Sequence, residues 1–293
     1  SVVLEEINMA EDTPDDLCID VLAKAYFGEG GYGSTILGPA ENVSRFNRND
    51  VFNYRKKYYV PSNTVISLAG NVSFEKACTL IEEYFGMDNV QSTMPEVKIN
   101  TECLKSNLSV SKPIEQNHIA FGIPGVGLNS PEKPALICLN AILGGGMSSR
   151  LFQTVREKAG LAYSVYSYLS CYNDLGVIYV YAGVNPKKLD EACECILEQI
   201  NLLGKEGITE RELIRVKEQI KGSTVLSSES TASLMISQAK KLLLTGEIFN
   251  IDKDLENVSN LKLDDVNELA KEYFSTKICA SAIVGKNVSS LKL

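Results

Sequence analysis

Apolar residues recur along this chain with two spacings, and the spacings separate helices from strands. The chain opens "SVVLEEINMAEDTPDD", with Val2, Val3, Ile7 and Met9 set among acids. That pattern predicts an amphipathic helix already under way at the first residues, with no cap before it. "TPDDLCIDVLAKAYFG" predicts a second helix, with Thr13 as N-cap, Pro14 at the first position and Gly28 at the close. After the Gly-rich loop "GEGGYGSTILGPAENVS" come a short helix, "NDVFNYRKKYY", a strand, "TVISLAG", and a helix, "FEKACTLIEEYFG". Residues 87–110 are polar, contain Pro95 and lack a clear period; they read as a linker with an edge strand in its second half. Beyond it, "QNHIAFGIPGV" is a strand, "PEKPALICLNAILGGG" an apolar helix and "SSRLFQTVREKAG" another helix. "LAYSVYSYLSCY" and "GVIYVYAGV" alternate as antiparallel strands do. Two long helices follow, the second capped by Thr209 with Glu212 at the capping-box position.

The pattern repeats. "ENVS" at 41–44 returns at 256–259, and the same shift of 215 residues pairs Asp50-Val51 with Asp265-Val266, Tyr58 with Tyr273 and Gly70 with Gly285. Both copies run from helix to strand. Upstream, Glu5-Glu6-Ile7 faces Glu218-Gln219-Ile220 at a shift of 213. The second copy carries a long block of strands and helices before this point, and the first copy does not. The expected fold is therefore α+β: two similar domains of antiparallel sheet packed with helices, the first truncated at its N-terminus by roughly a hundred residues. Residues 1–90 would close the first domain, 91–110 would link, and 111–293 would form the second.

Composition narrows the function. The 293 residues carry a net charge of −8 and are 44% hydrophobic, an ordinary globular mix. Basic clusters that would hold phosphates are absent, which argues against nucleic acid as a partner. The apolar runs are far too short to cross a bilayer. Eight cysteines sit mostly singly in apolar surroundings, without a C-x-x-C pair, which suggests reduced thiols and a cytoplasmic location.

His118 is the one histidine, in the strand "NHIAFG". A zinc site, a serine triad and a cysteine–histidine pair would each have to use it, so a structural role is the expected one. Taken alone, Glu6 is an acid on a solvated helix face. Arg156 and Tyr163, seven residues apart, read on spacing alone as a surface ion pair and a packed strand residue. Gly144, Gly145 and Gly146 are either a helix C-cap or a Gly-rich surface near a ligand. They form no phosphate loop, because no Lys-Ser/Thr follows.

Three stretches resemble one family. "VVLEEINMAEDTPDD", "YGSTILGPAENVSRFNRNDVFNYRKKYYVPSNTVISLAGNV" and "LGGGMSSRLFQTVREKAGLAYSVYS" are similar to segments of the pitrilysin/insulysin-type zinc metallopeptidases, which include processing peptidases. That family carries an inverted zinc motif, H-x-x-E-H, with a third ligand, a Glu, roughly 75 residues later. The resemblance implies that Glu6 is this third ligand, that Arg156 and Tyr163 hold substrate and steady the tetrahedral intermediate, and that Gly144–Gly146 lie near the peptide. It also implies Zn2+ as cofactor, an extended peptide or unfolded polypeptide as substrate, and a homodimer. The H-x-x-E-H segment is missing from these residues. The expected function is a zinc endopeptidase present here as a fragment inactive alone; the alternative is a non-catalytic peptide-binding or partner subunit.

Overall fold

The structure, a computed structural model, describes residues 2–86, 103–275 and 278–291. Five helices come first: α1 (Val2–Glu11), α2 (Pro14–Phe27), α3 (Ala40–Arg45), α4 (Arg48–Tyr58) and α5 (Phe74–Phe85). Strands β1 (Asn107–Ser111) and β2 (Asn117–Gly125), helix α6 (Lys133–Gly144) and a π-helical segment (Phe152–Lys158) follow. Then come β3 (Ala162–Cys171), β4 (Gly176–Val184), α7 (Leu189–Glu206), α8 (Glu210–Ser228), α9 (Thr231–Thr245), α10 (Ile251–Ser259), α11 (Leu263–Phe274) and β5 (Ala280–Gly285). The α+β class expected from the sequence is borne out. Contacts divide the chain into two compact units: Ser1–Ser44 with Ile99–Glu218 and Asn257–Leu293, and Arg45–Lys98 with Gln219–Glu256. These units cut across the linear division at 90 and 110.

The first unit is built on one sheet of order β1-β5-β2-β4-β3. The sheet is antiparallel, as expected, except at β1, which runs parallel to β5 with Asn107 opposite Ser281. All nine residues of β4 are buried. A strand buried on both sides needs a helical layer over each face. Ala120, Val177, Tyr179, Tyr181, Ala280, Ala282 and Val284 point to one face, where they meet Cys18, Leu22, Ala25 and Tyr26 of α2. Those four α2 residues fall three and four apart, the spacing that makes one stripe of a helix. The strand residues between them, including Ile119, Phe121, Ile178, Val180 and Ile283, are fully or almost fully buried on the other face. That face is covered by α6 and α11, with α7 packed on α11. Gly122 lets α2 approach closely, since a Cβ there would lie 2.8 Å from the Tyr26 ring.

Helix α2 comes from the front of the chain yet completes a sheet whose strands lie between 107 and 285. Thr13 stands at the N-cap of α2 as expected, but its hydroxyl makes no cap bond; it donates to the Met9 carbonyl at 2.9 Å and ties α2 to the end of α1. The repeat makes sense of the exchange. The first unit contains residues 1–44, and the second contains 219–256, their counterparts in the later copy.

In the second unit, α4 begins with the reciprocal capping box of Asn47 and Asp50. Ser67 donates to Gln238 of α9 at 3.3 Å. The segment 64–70, expected to be a strand, has no ladder partner among the described residues, and Ile66 and Leu68 are exposed. A helix closes its own hydrogen bonds, whereas a strand exists only beside another strand. Its repeat counterpart, β5, lies between β1 and β2 and is wholly buried.

Leu22→Ala removes a fully buried side chain from the α2 layer. It should lower unfolding free energy by about 2–5 kcal/mol, read from the denaturant midpoint. A change below about 0.5 kcal/mol would mean that α2 is not part of this core.

Candidate active-site surface

Helix α6 ends at the Gly run, and the three glycines differ in surroundings. Gly144 is buried against β3: a Cβ would sit 2.4 Å from the Ser167 nitrogen. Around it, Ser167 donates its hydroxyl to the Asn140 carbonyl at 3.2 Å, and the Asn140 amide donates to the Ser167 carbonyl at 3.4 Å. Gly145 closes the helix by donating to the Ala141 carbonyl at 3.2 Å. Gly145 and Gly146 are exposed.

The helical segment that follows carries Arg156. Leu151 and Val155 fix it to the core, both fully buried. Within it the Ala159 N–H reaches back five residues to the Thr154 carbonyl at 3.1 Å, the signature of a π turn. Such single-turn widenings often mark functional sites. Gly160, at φ +59, then reverses the chain in a left-handed conformation that suits glycine. A bulge between Ala162 and Ser164 opens β3 at Tyr163.

Together the π turn, the reversal and the bulge make neighbours of Arg156 and Tyr163. The guanidinium lies 5.9 Å from the Tyr163 ring centroid and 4.9 Å from that of Phe152. Tyr163 is 74% exposed, and Arg156 is exposed as well. No ion pair of Arg156 occurs among the described residues. The surface ion pair that spacing alone suggested is therefore absent there, and Phe152 is a ring partner that sequence reasoning missed. The pair presents a planar set of N–H donors and a phenol to solvent.

The base of this segment is locked. Arg150 donates to both carboxylate oxygens of Glu212, at 2.8 and 2.9 Å, and to the Gly207 carbonyl at 2.9 Å. Glu212 also accepts from the backbone N–H of Thr209 at 2.8 Å, completing the capping box of α8. Burial alone would raise the Glu212 pKa. The hydrogen bonds from Arg150 and Thr209, with the Arg150 charge, outweigh burial and hold it at about 2. The capping box was legible in the sequence; its second use as the Arg150 anchor was not, because 62 residues separate the partners.

The other expected residues lie elsewhere. Glu6 is exposed on α1, whose one buried residue is Ile7. No group of three His, Cys, Asp or Glu able to hold a metal occurs among the described residues. They do not by themselves fit a catalytic zinc, which needs three protein ligands. His118 meets the Tyr181 hydroxyl at 2.6 Å between sheet and α2. Burial lowers its pKa, and Asp15 opposes the shift.

The profile of the "Peptidase M16 inactive domain" matches residues 45–220. The chain is 40% identical over 275 residues to a Bacillus subtilis protein named "Uncharacterized zinc protease YmxG", covering 94% of this chain and 67% of that protein. The chain belongs to the peptidase M16 family. The resemblance drawn from the three sequence stretches is thereby borne out. A similarly named zinc protease of Streptomyces coelicolor is 34% identical over 96% of this chain and 63% of its own length. The chain thus spans about two thirds of these relatives. Among solved structures, the peptidase M16 inactive domain from Pseudomonas fluorescens superposes with a TM-score of 0.88 at 20% identity, over 99% of this chain and 70% of that one. A protease from Helicobacter pylori gives 0.82 at 23%, over 97% and 70%. At these identities the likeness establishes the fold. No described helix is long and apolar enough to cross a membrane.

Two outcomes test the scaffold of this surface. Glu212 is held below its unfolded value near 4.3, so its stabilisation is complete above about pH 4.5 and is lost as pH falls toward 2. Glu212→Gln should destabilise the protein by about 1–3 kcal/mol at pH 7 and flatten the acid limb of its stability profile. Gly144→Ala should destabilise by about 1–3 kcal/mol, because α6 cannot keep its distance from β3. An unchanged melting curve for Gly144→Ala would place the run in a purely surface role.

Proposed function

We propose that this M16 chain is part of a zinc-dependent endopeptidase and supplies the surface that grips an extended peptide. The observation that carries the reading is the exposed Arg156–Tyr163 pair. Donors held on a rigid scaffold stabilise negative charge developing on a peptide carbonyl, and removing one such donor costs about 10²–10³-fold in turnover. Arg150, Glu212 and Phe152 hold the guanidinium side of the pair. Gly145 and Gly146 lie along the peptide path, while Gly144 keeps α6 against β3. Zinc, when bound in the whole protein, would polarise the scissile carbonyl. This chain would contribute one donor, Glu6. Extended peptides or unfolded polypeptides are the proposed substrates, a homodimer the proposed assembly and the cytoplasm the proposed location. Eight free cysteines support the location.

A second reading is a non-catalytic peptide-binding or partner subunit. The description "inactive domain" for the matching profile favours it.

The deciding experiment uses the full-length protein with an unstructured peptide substrate. Arg156→Ala and Tyr163→Phe should each lower kcat by about 10²-fold with zinc content unchanged. Unaltered kinetics would remove the pair from the mechanism. Glu6→Gln should lose zinc by elemental analysis; full retention would remove Glu6 from the ligand set. Peptide binding without turnover in the wild-type protein would establish the second reading.

A further inference from the structure

We propose that Cys103 and Cys279 form a reversible intramolecular disulfide that staples the entry to β1 onto the entry to β5. The two cysteines precede neighbouring parallel strands, and the ladder already begins there, with the Ser281 N–H donating to the Ser106 carbonyl at 3.2 Å. Lys105 adopts φ +52 and folds the chain back, and its N–H reaches the Cys103 sulfur at 3.4 Å. Cys103 and Cys279 both pack on the core, and each lies near enough to the other to influence its thiol. Both sulfurs border Tyr26 of α2 at the edge of the same core. Both residues are only half-buried, so a small oxidant can reach them. The other cysteines differ. Around Cys18, Cys138, Cys171, Cys193 and Cys195 the side chains that act on the thiol are charged ones.

The reaction is exchange with a low-molecular-weight disulfide. One protein thiolate attacks it, giving a mixed disulfide and releasing one small thiol. The second protein thiolate then attacks the protein sulfur, the new S–S bond forms, and a second small thiol leaves. The small disulfide is reduced and the two cysteines are oxidised. Burial pushes the Cys103 thiol up to about 12. Because the thiolate is the nucleophile, crosslinking should quicken at alkaline pH. Tyr26 from α2 and Lys105 from the β1 entry are the other titratable groups facing the pair.

The staple would fix more than two strand entries. The same short segment donates from the Leu104 N–H to the Tyr26 carbonyl at 2.9 Å and from the Ser106 hydroxyl to the Ala25 carbonyl at 2.8 Å. Oxidation would therefore hold the C-terminal end of α2 on the sheet.

The test is exposure of the native, reduced chain to glutathione disulfide at mildly alkaline pH, then proteolysis and mass spectrometry without reductant. The expected product is a peptide pair joined through Cys103 and Cys279, about 2 Da below the sum of the reduced peptides, reversed by dithiothreitol. In Cys103→Ser and Cys279→Ser the linked pair should vanish, and the remaining thiol should carry glutathione. Glutathione on both thiols of the wild-type chain without a link, a link from either to another cysteine, or two unreacted thiols would each overturn the proposal.

Discussion

Burial of a sheet on both faces is the constraint on which this structure depends. Every residue of β4 is enclosed. A strand of that kind cannot leave one side to water without exposing Tyr179, Tyr181 and their neighbours at roughly 25 cal/mol for each Å² of apolar area. Helices α6 and α11 follow or flank the strands in sequence and cover one face, with α7 packed on α11. The other face takes α2, which precedes the strands by about eighty residues or more. The packing of one early helix on a late sheet thus makes a single compact unit from three separated stretches of chain.

The candidate site depends on that sheet through β3. This edge strand receives Gly144 on its backbone and carries Tyr163 at its bulged start. The segment before it is fixed inward by Leu151 and Val155 and sideways by the Arg150–Glu212 pair. What remains outward is Arg156 beside two rings. An exposed arginine usually spends its charge on a neighbouring carboxylate. Here a rigid frame offers it aromatic faces instead, which hold the guanidinium without neutralising it. Charge and donors stay open to solvent.

The family was legible before any coordinates, because its marks are local: the acidic stretch at 2–16, the Gly run, and an arginine and a tyrosine seven residues apart. Most helices and the strands of the later copy were legible for the same reason. Three features were not legible, one for want of a distant partner and two because local hydrogen bonding is not set by residue type alone. "TVISLAG" has the composition of a strand and no partner among the described residues. Thr13 has the identity of a cap but donates backward to Met9. The π turn that aims Arg156 has no pattern of residue types to announce it.

By itself the sequence determined the order of helices and strands, the internal repeat and the residue types at the candidate site. Each of these is written in spacings of a few residues or in self-similarity. Tertiary structure decided which helix covers which sheet face, which extended segment becomes a strand, and that Arg150 meets Glu212 and Cys103 meets Cys279. The last two join residues 62 and 176 positions apart, and α2 meets strand residues still farther along the chain. Such contacts depend on which buried surfaces the folded chain must satisfy, and a local spacing holds no record of that.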